Sequence, residues 1–81
     1  MTYYVYIIKS INSNNQIYTG FTKDLQKRFA EHNAGKSKHT SKFRPWELSS
    51  YFAFQSEVKA REFEKYLKSG SWIAFRNRHF L

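Results

Sequence analysis

The chain has 81 residues, with 14 Lys and Arg against 6 Asp and Glu, and a formal net charge of +8. That length supports one domain over residues 1–81, and its 8 Phe, 6 Tyr and 2 Trp imply a core built from a few large rings. With no cysteine, disulfides, thiolate zinc sites and cysteine nucleophiles are excluded, and the aromatic content argues against disorder.

Thr2–Lys9 (TYYVYIIK) is β-branched and aromatic, with Tyr4, Tyr6 and Ile8 on one alternating face and Tyr3, Val5 and Ile7 on the other. Both faces are apolar, which predicts a central strand covered on both sides. The polar, Asn-rich Ser10–Asn15 predicts a turn, and Gln16–Thr22 (QIYTGFT) a second strand, completing a hairpin. Thr22 or Asp24 can cap a helix that carries Leu25, Phe29 and His32 at spacings of four and three, and Asn33-Ala34-Gly35 supplies a left-handed stop. Lys36–Arg44 reads as a loop. Pro45-Trp46 leads into a third strand, Glu47–Phe54, whose Leu48, Ser50, Phe52 and Phe54 are expected on one face. Ser56 caps a helix with the apolar stripe Ala60, Phe63 and Leu67; Ser69-Gly70 ends it before a short last helix near Trp72–Asn77. The resulting order is β-β-α-β-α-α, a compact α/β (α+β) domain. Its longest apolar run, Tyr3–Ile8, is six residues, against the roughly 20 that span a bilayer, and Met1-Thr2-Tyr3 offers no basic leader. A soluble, cytoplasmic protein is expected.

Charge is concentrated in two stretches. Residues 32–46 (HNAGKSKHTSKFRPW) carry +4 and residues 65–81 another +4, and neither stretch past Lys65 nor that loop holds an acid. Lys36, Lys38, Lys42 and Arg44 alternate with hydroxyl residues able to donate to phosphate oxygens, and Lys68, Arg76 and Arg78 lie among aromatics. Such a surface predicts a nucleic-acid partner. A basic surface that only keeps a small domain soluble is the plainer alternative, and an interaction domain with Trp46 and Trp72 as contacts is a third.

Four features exceed what a core requires. Glu64 falls beside the apolar stripe of its helix, where a carboxylate must pair with a cation, hold a metal or sit at the rim beside a lysine. Arg28 and His32, at i and i+4, project from one helix face, a rigid fork of donors next to an imidazole. An antiparallel hairpin turning near Asn12 or Ser13 sets Tyr6 and Tyr18 opposite or one step diagonal to each other. Gly20, on the Tyr18 face, weakens its strand and marks a close approach by a ligand or another part of the chain.

Taken in order, Val5-Tyr6, Tyr18-Thr19-Gly20, Arg28, His32 and Glu64 resemble the GIY-YIG nuclease superfamily, in particular its small stand-alone members similar to the catalytic domain of the bacterial excision-repair incision subunit. The resemblance runs through EHNAGKSKHTSKFRPWELSSY and the KYLKSGS tail. It implies a GIY-YIG fold, a three-stranded antiparallel or mixed sheet flanked by helices, with a phosphodiesterase site on it. Tyr6 and Tyr18 then match the two motif tyrosines, one acting as or orienting the base. Arg28 contacts the scissile phosphate, His32 stands beside it, and Glu64 holds a divalent metal, Mg²⁺ or Mn²⁺. The implied partner is DNA, with RNA also open, and the implied activity is endonucleolytic cleavage in DNA repair. The sequence departs from the pattern at Tyr4, which precedes Val5 where the name motif has glycine, at Thr19 in place of isoleucine, and at Phe21 where some members carry a lysine. The last leaves a basic DNA-binding module of the same fold, with weak or no turnover, as the rival.

Overall fold

A computed structural model describes residues 1–13 and 16–69. The last helix expected near Trp72–Asn77, and with it Arg76 and Arg78, lies outside the described residues. The elements are β1 (Tyr3–Ser10), β2 (Ile17–Thr22), α1 (Leu25–Asn33), a 3₁₀ turn (Ser41–Phe43), β3 (Trp46–Phe54) and α2 (Glu57–Leu67). The sheet is antiparallel throughout, in the order β2-β1-β3, so the strand apolar on both faces is the central one.

Alternation along β1 divides the core in two. Val5 and Ile7 are fully buried with Ala60 and Leu67 of α2, and Phe52, Phe54 and Phe63 close this side. Tyr6 and Ile8 point the other way and pack with Trp46 against Leu25 and Phe29 of α1. Each side holds a few large rings, including a T-shaped Phe52–Phe63 pair with centroids 4.8 Å apart. Phe21 faces the α2 side, stacked on Tyr3, with the Arg61 guanidinium 4.2 Å from its centroid.

Strand β3 departs from the expected alternation. Ile7 pairs with Ser50 and Ile8 with Leu48, so Ser49 is an extra residue in a β-bulge. Ser50, Phe52 and Phe54 share a face with Val5 and Ile7, but the bulge turns Leu48 to the Tyr6 side. A period-two reading carries a strand across a bulge with no sign that its faces have exchanged.

The helix ends follow local chemistry. The Asp24 side chain accepts from the Lys27 amide at 3.1 Å, while the Thr22 hydroxyl bonds the Asp24 backbone and shapes the turn before it. Gly35 ends α1 at φ 78°, with amides 35 and 36 returning to the His32 and Glu31 carbonyls. Asn33 does more than end the helix. Its side chain donates to the Trp46 carbonyl at 3.1 Å and accepts from the Trp46 amide at 2.6 Å, fixing the start of β3 beside α1.

Candidate active site

Gly20 pairs with Tyr6 across the β1–β2 ladder, and Tyr18 with Ile8, so the two tyrosines are diagonal neighbours on the α1 face, centroids 6.3 Å apart. The close approach that Gly20 permits is made by the Tyr6 ring. A Cβ built at Gly20 stands 2.5 Å from the Tyr6 Cζ and nearer still to its hydroxyl. Any side chain there would evict the phenol, which lies across β2 only because residue 20 has none.

Helix α1 supplies the groups that meet the phenol. His32 is fully buried, and its Nε2 lies 2.8 Å from the Tyr6 hydroxyl. The Arg28 guanidinium lies near enough for its charge to act on the same hydroxyl, and it donates to Glu31 Oε1 at 3.1 Å. The i,i+4 spacing of Arg28 and His32 is what sets both on the helix face turned toward Tyr6. The Tyr18 ring lies 5.1 Å from the His32 ring, half-buried, and its hydroxyl has no hydrogen-bond partner among the described residues.

Burial dominates the acid–base character of the cluster. Removal from water pushes the Tyr6 phenol from the usual 10.0 up to about 12; the Arg28 hydrogen bond and charge oppose the shift, and the Tyr18 and Glu64 charges add to it. Tyr6 therefore holds its proton at neutral pH. Burial works against the Arg28 charge, but bonds to Glu31 and Tyr6 outweigh it, so the guanidinium stays ionised. His32 is lowered from 6.5 to about 4 by burial and then by the Arg28 charge, with Glu31 pulling the other way, so it is a neutral imidazole.

That shift makes stability depend on pH. Because the folded pKa of His32 lies below the unfolded one, the unfolded chain binds the extra proton between the two values. The contribution is complete above about pH 6.5 and is lost as pH falls toward 4. Urea unfolding between pH 7.5 and 5 should show stability dropping by up to about 1.4 kcal/mol per pH unit below 6.5, before most carboxylates titrate. A flat profile over that range would mean that His32 is not held neutral.

Glu64, the fifth residue expected in the site, lies on α2. Its side chain is 20% exposed and accepts from Lys68 Nζ at 3.2 Å, the rim arrangement weighed from the sequence, yet its charge also reaches the Tyr6 phenol. Among the described residues no group of three or more His, Asp or Glu could hold a metal. A single carboxylate suits only a hard, largely hydrated cation such as Mg²⁺ or Mn²⁺.

Lys36, Lys38, Lys42 and Arg44 are all exposed on the segment after α1, and Lys68 is exposed at the end of α2. Arg44 is fixed in place: its Nε donates to the Ser41 carbonyl at 2.9 Å, and its guanidinium packs on Gly35. Two readings of this segment are overturned. Trp46 is no partner contact but a core residue, 4% exposed, donating from Nε1 to the Thr40 carbonyl at 2.8 Å. Thr40 is turned inward, 1% exposed, with its hydroxyl 2.7 Å from His32 Nδ1 and unavailable to a phosphate. Both follow from the 3₁₀ turn folding the loop over α1, which charge patterning does not register. Thr40 and Glu31 were missed as partners of the site; the i,i+3 spacing of Arg28 and Glu31 is a signal for the second, and none exists for Thr40, eight residues from His32.

A family model described as the GIY-YIG catalytic domain matches residues 2–71. The chain belongs to the GIY-YIG family. Its relatives include UPF0213 proteins of Staphylococcus haemolyticus, 43% identical over 65 residues that make up 76% of this chain and 77% of that one, and of Cupriavidus pinatubonensis, 36% identical over 77 residues, 90% and 83%. The solution NMR structure of a UPF0213 protein from Bacillus halodurans superposes with a TM-score of 0.58 at 30% identity, covering 99% of this chain and 87% of that one. This GIY-YIG chain thus has a nuclease-type fold, and the UPF0213 names state no activity. No helix among its described residues is long and apolar enough to cross a membrane.

Proposed function

We propose that this protein is a metal-dependent endonuclease that hydrolyses DNA phosphodiester bonds, directed by backbone and DNA structure, with Tyr6, Tyr18, Arg28, His32 and Glu64 as its active site. The observation that carries this reading is the gathering of Tyr6, Tyr18, Arg28 and His32 on one face of the sheet, where Gly20 leaves room for the Tyr6 ring, with the Glu64 charge acting on the same phenol. The exposed lysines and Arg44 after α1 suit a phosphate backbone, and affinity resting on them falls steeply as salt rises.

Each group has a task that its surroundings support. Arg28, held ionised by Glu31 and Tyr6, neutralises charge growing on the non-bridging oxygens. Tyr18, half-buried beside Tyr6 and His32, is the base in its phenolate form: it takes the proton of the attacking water and becomes the phenol. Tyr6, protonated at neutral pH, serves as a hydrogen-bond donor, and His32 holds it in place. Glu64 would hold Mg²⁺ or Mn²⁺, which supplies Lewis-acid stabilisation of the leaving oxygen.

The test is incubation with supercoiled plasmid and branched DNA in low salt, with Mg²⁺, Mn²⁺ or a chelator. Nicking that appears with metal and stops with the chelator supports the proposal. DNA bound in a salt-sensitive way but left intact under every condition would overturn it in favour of a binding module.

A further inference from the structure

The sheet face that carries Tyr6 continues past the start of α1, and there it leaves large side chains uncovered. Tyr51 pairs with Tyr6 across β1 and β3, and Tyr4 lies two residues before Tyr6, so all three share that face. The Tyr4 and Tyr51 rings meet edge to face with centroids 6.2 Å apart, and Tyr51 is 55% exposed. Leu48 joins them only because of the bulge at Ser49: three residues from Tyr51, it would stand on the opposite face of a regular strand. With Leu25, these side chains line a cavity of about 530 Å³ between α1 and β3. Exposed rings scattered singly need no explanation, but two tyrosines and a leucine gathered on one cavity mark a binding surface.

The charge next to the cavity indicates what binds there. Lys23, in the turn before α1, lines this cavity and also a second one of about 370 Å³, whose walls include Lys27 and Arg28. The acids beside them are engaged: Asp24 caps α1 by accepting from the Lys27 amide, and Glu31 accepts from Arg28. Neither Lys23 nor Lys27 has a carboxylate partner among the described residues. A cationic cavity and an aromatic one that share a lysine match the two halves of a nucleotide, phosphate and base. Gln26, also on the aromatic cavity, adds an amide able to donate to a base edge and accept from it. A base inside an intact duplex is stacked and paired, so only one already unpaired enters without the cost of extrusion.

We propose that the cavity bounded by Tyr4, Leu48 and Tyr51 is a subsite for an unpaired DNA base, with Lys23 and Lys27 on the phosphate beside it. Arg28 ties the two cavities to the site proposed for cleavage. As a rule for which DNA is cut, single-stranded or frayed in preference to intact duplex, this rests on the proposed nuclease reading; as a binding site it does not.

The test is fluorescence anisotropy with labelled oligo-dT, an abasic sugar–phosphate strand of the same length and the matched dA·dT duplex, in chelator so that nothing is cut. Tyr51→Ala should bind oligo-dT roughly tenfold more weakly than wild type and the other two probes unchanged, because stacking is lost only where a free base is present. Tyr51→Phe, which keeps the ring, should bind as wild type. The Tyr51 ring is exposed, so its truncation spares the core, and an unchanged melting temperature checks this. Lys23→Gln should lower the slope of log affinity against log salt by about 0.7 on oligo-dT, the mark of one lost phosphate contact, and an unchanged slope would overturn the phosphate half of the proposal. No loss on oligo-dT in Tyr51→Ala, or an equal loss on all three probes, would overturn the base subsite. So would dimerisation of the free protein that Tyr51→Ala abolishes, which would assign the cavity to a second copy of the chain. Nicking is a separate readout. A protein that cuts plasmid while Tyr51→Ala binds oligo-dT normally keeps the nuclease reading and loses the subsite, and one that cuts nothing but shows the base-dependent loss does the reverse.

Discussion

Glu64→Gln should fold as the wild type does and lose metal-dependent nicking by a factor on the order of 10³, the scale of several kcal/mol of charge stabilisation withdrawn from the transition state. The change is nearly isosteric and keeps an oxygen at the same place, but an amide binds a hard cation far less well than a carboxylate. The folded state gives up only the Lys68 contact, an i,i+4 pair whose lysine is 54% exposed, and such pairs contribute a few tenths of a kcal/mol. Melting temperature and nicking should therefore separate: the first within a degree or two of wild type, the second close to background. Among the described residues no group of three or more His, Asp or Glu could hold a metal, so no ready-made cluster stands to take over its part. Retention of wild-type nicking in Mg²⁺ would remove Glu64 from the site.

Gly20→Ala is expected to cost roughly 2–4 kcal/mol, from about 1–3 for forcing a methyl into a packed site and about 1–3 for hydrogen bonds lost around a buried group, the two not fully additive. The added carbon lands against the Tyr6 hydroxyl and Cζ, and the ring cannot yield in place, since Tyr6 is 1% exposed and tied to His32. In a domain this small that loss lowers the melting temperature by about 10 °C or more. Activity should fall further than stability, because the movement displaces the phenol from the guanidinium and the imidazole together. Thermal melting gives the first effect, and the nicking rate of the folded fraction gives the second. An alanine variant as stable as wild type would mean that the ring has room elsewhere.

The elements were legible because each rests on nearest-neighbour chemistry. Two apolar alternating faces marked β1 as the central strand, and Asp24, Gly35 and Ser56 stand where the helix ends were read, with Gly35 in the left-handed conformation its position requires. Arg28 and His32 were paired by helical spacing, and both do reach Tyr6. Less legible was whatever depended on a register or a loop path. Leu48 was placed on the wrong face because the Ser49 bulge leaves no mark in an alternating pattern. Trp46 and Thr40, set in a segment rich in lysine and serine, read as surface and are core.

The sequence by itself determines the order of the elements, the strand that lies at the centre of the sheet, the side chains available for chemistry and the need for open space at residue 20. These follow from periodicity, capping and composition, which act over a few residues. Only the tertiary structure decides that Tyr6 is the phenol bound to His32, with Tyr18 diagonal to it, and that a threonine from the basic loop completes the chain of hydrogen bonds. Those choices depend on the β1–β2 register and on how the loop closes over α1, and both are settled by burial summed over the whole domain.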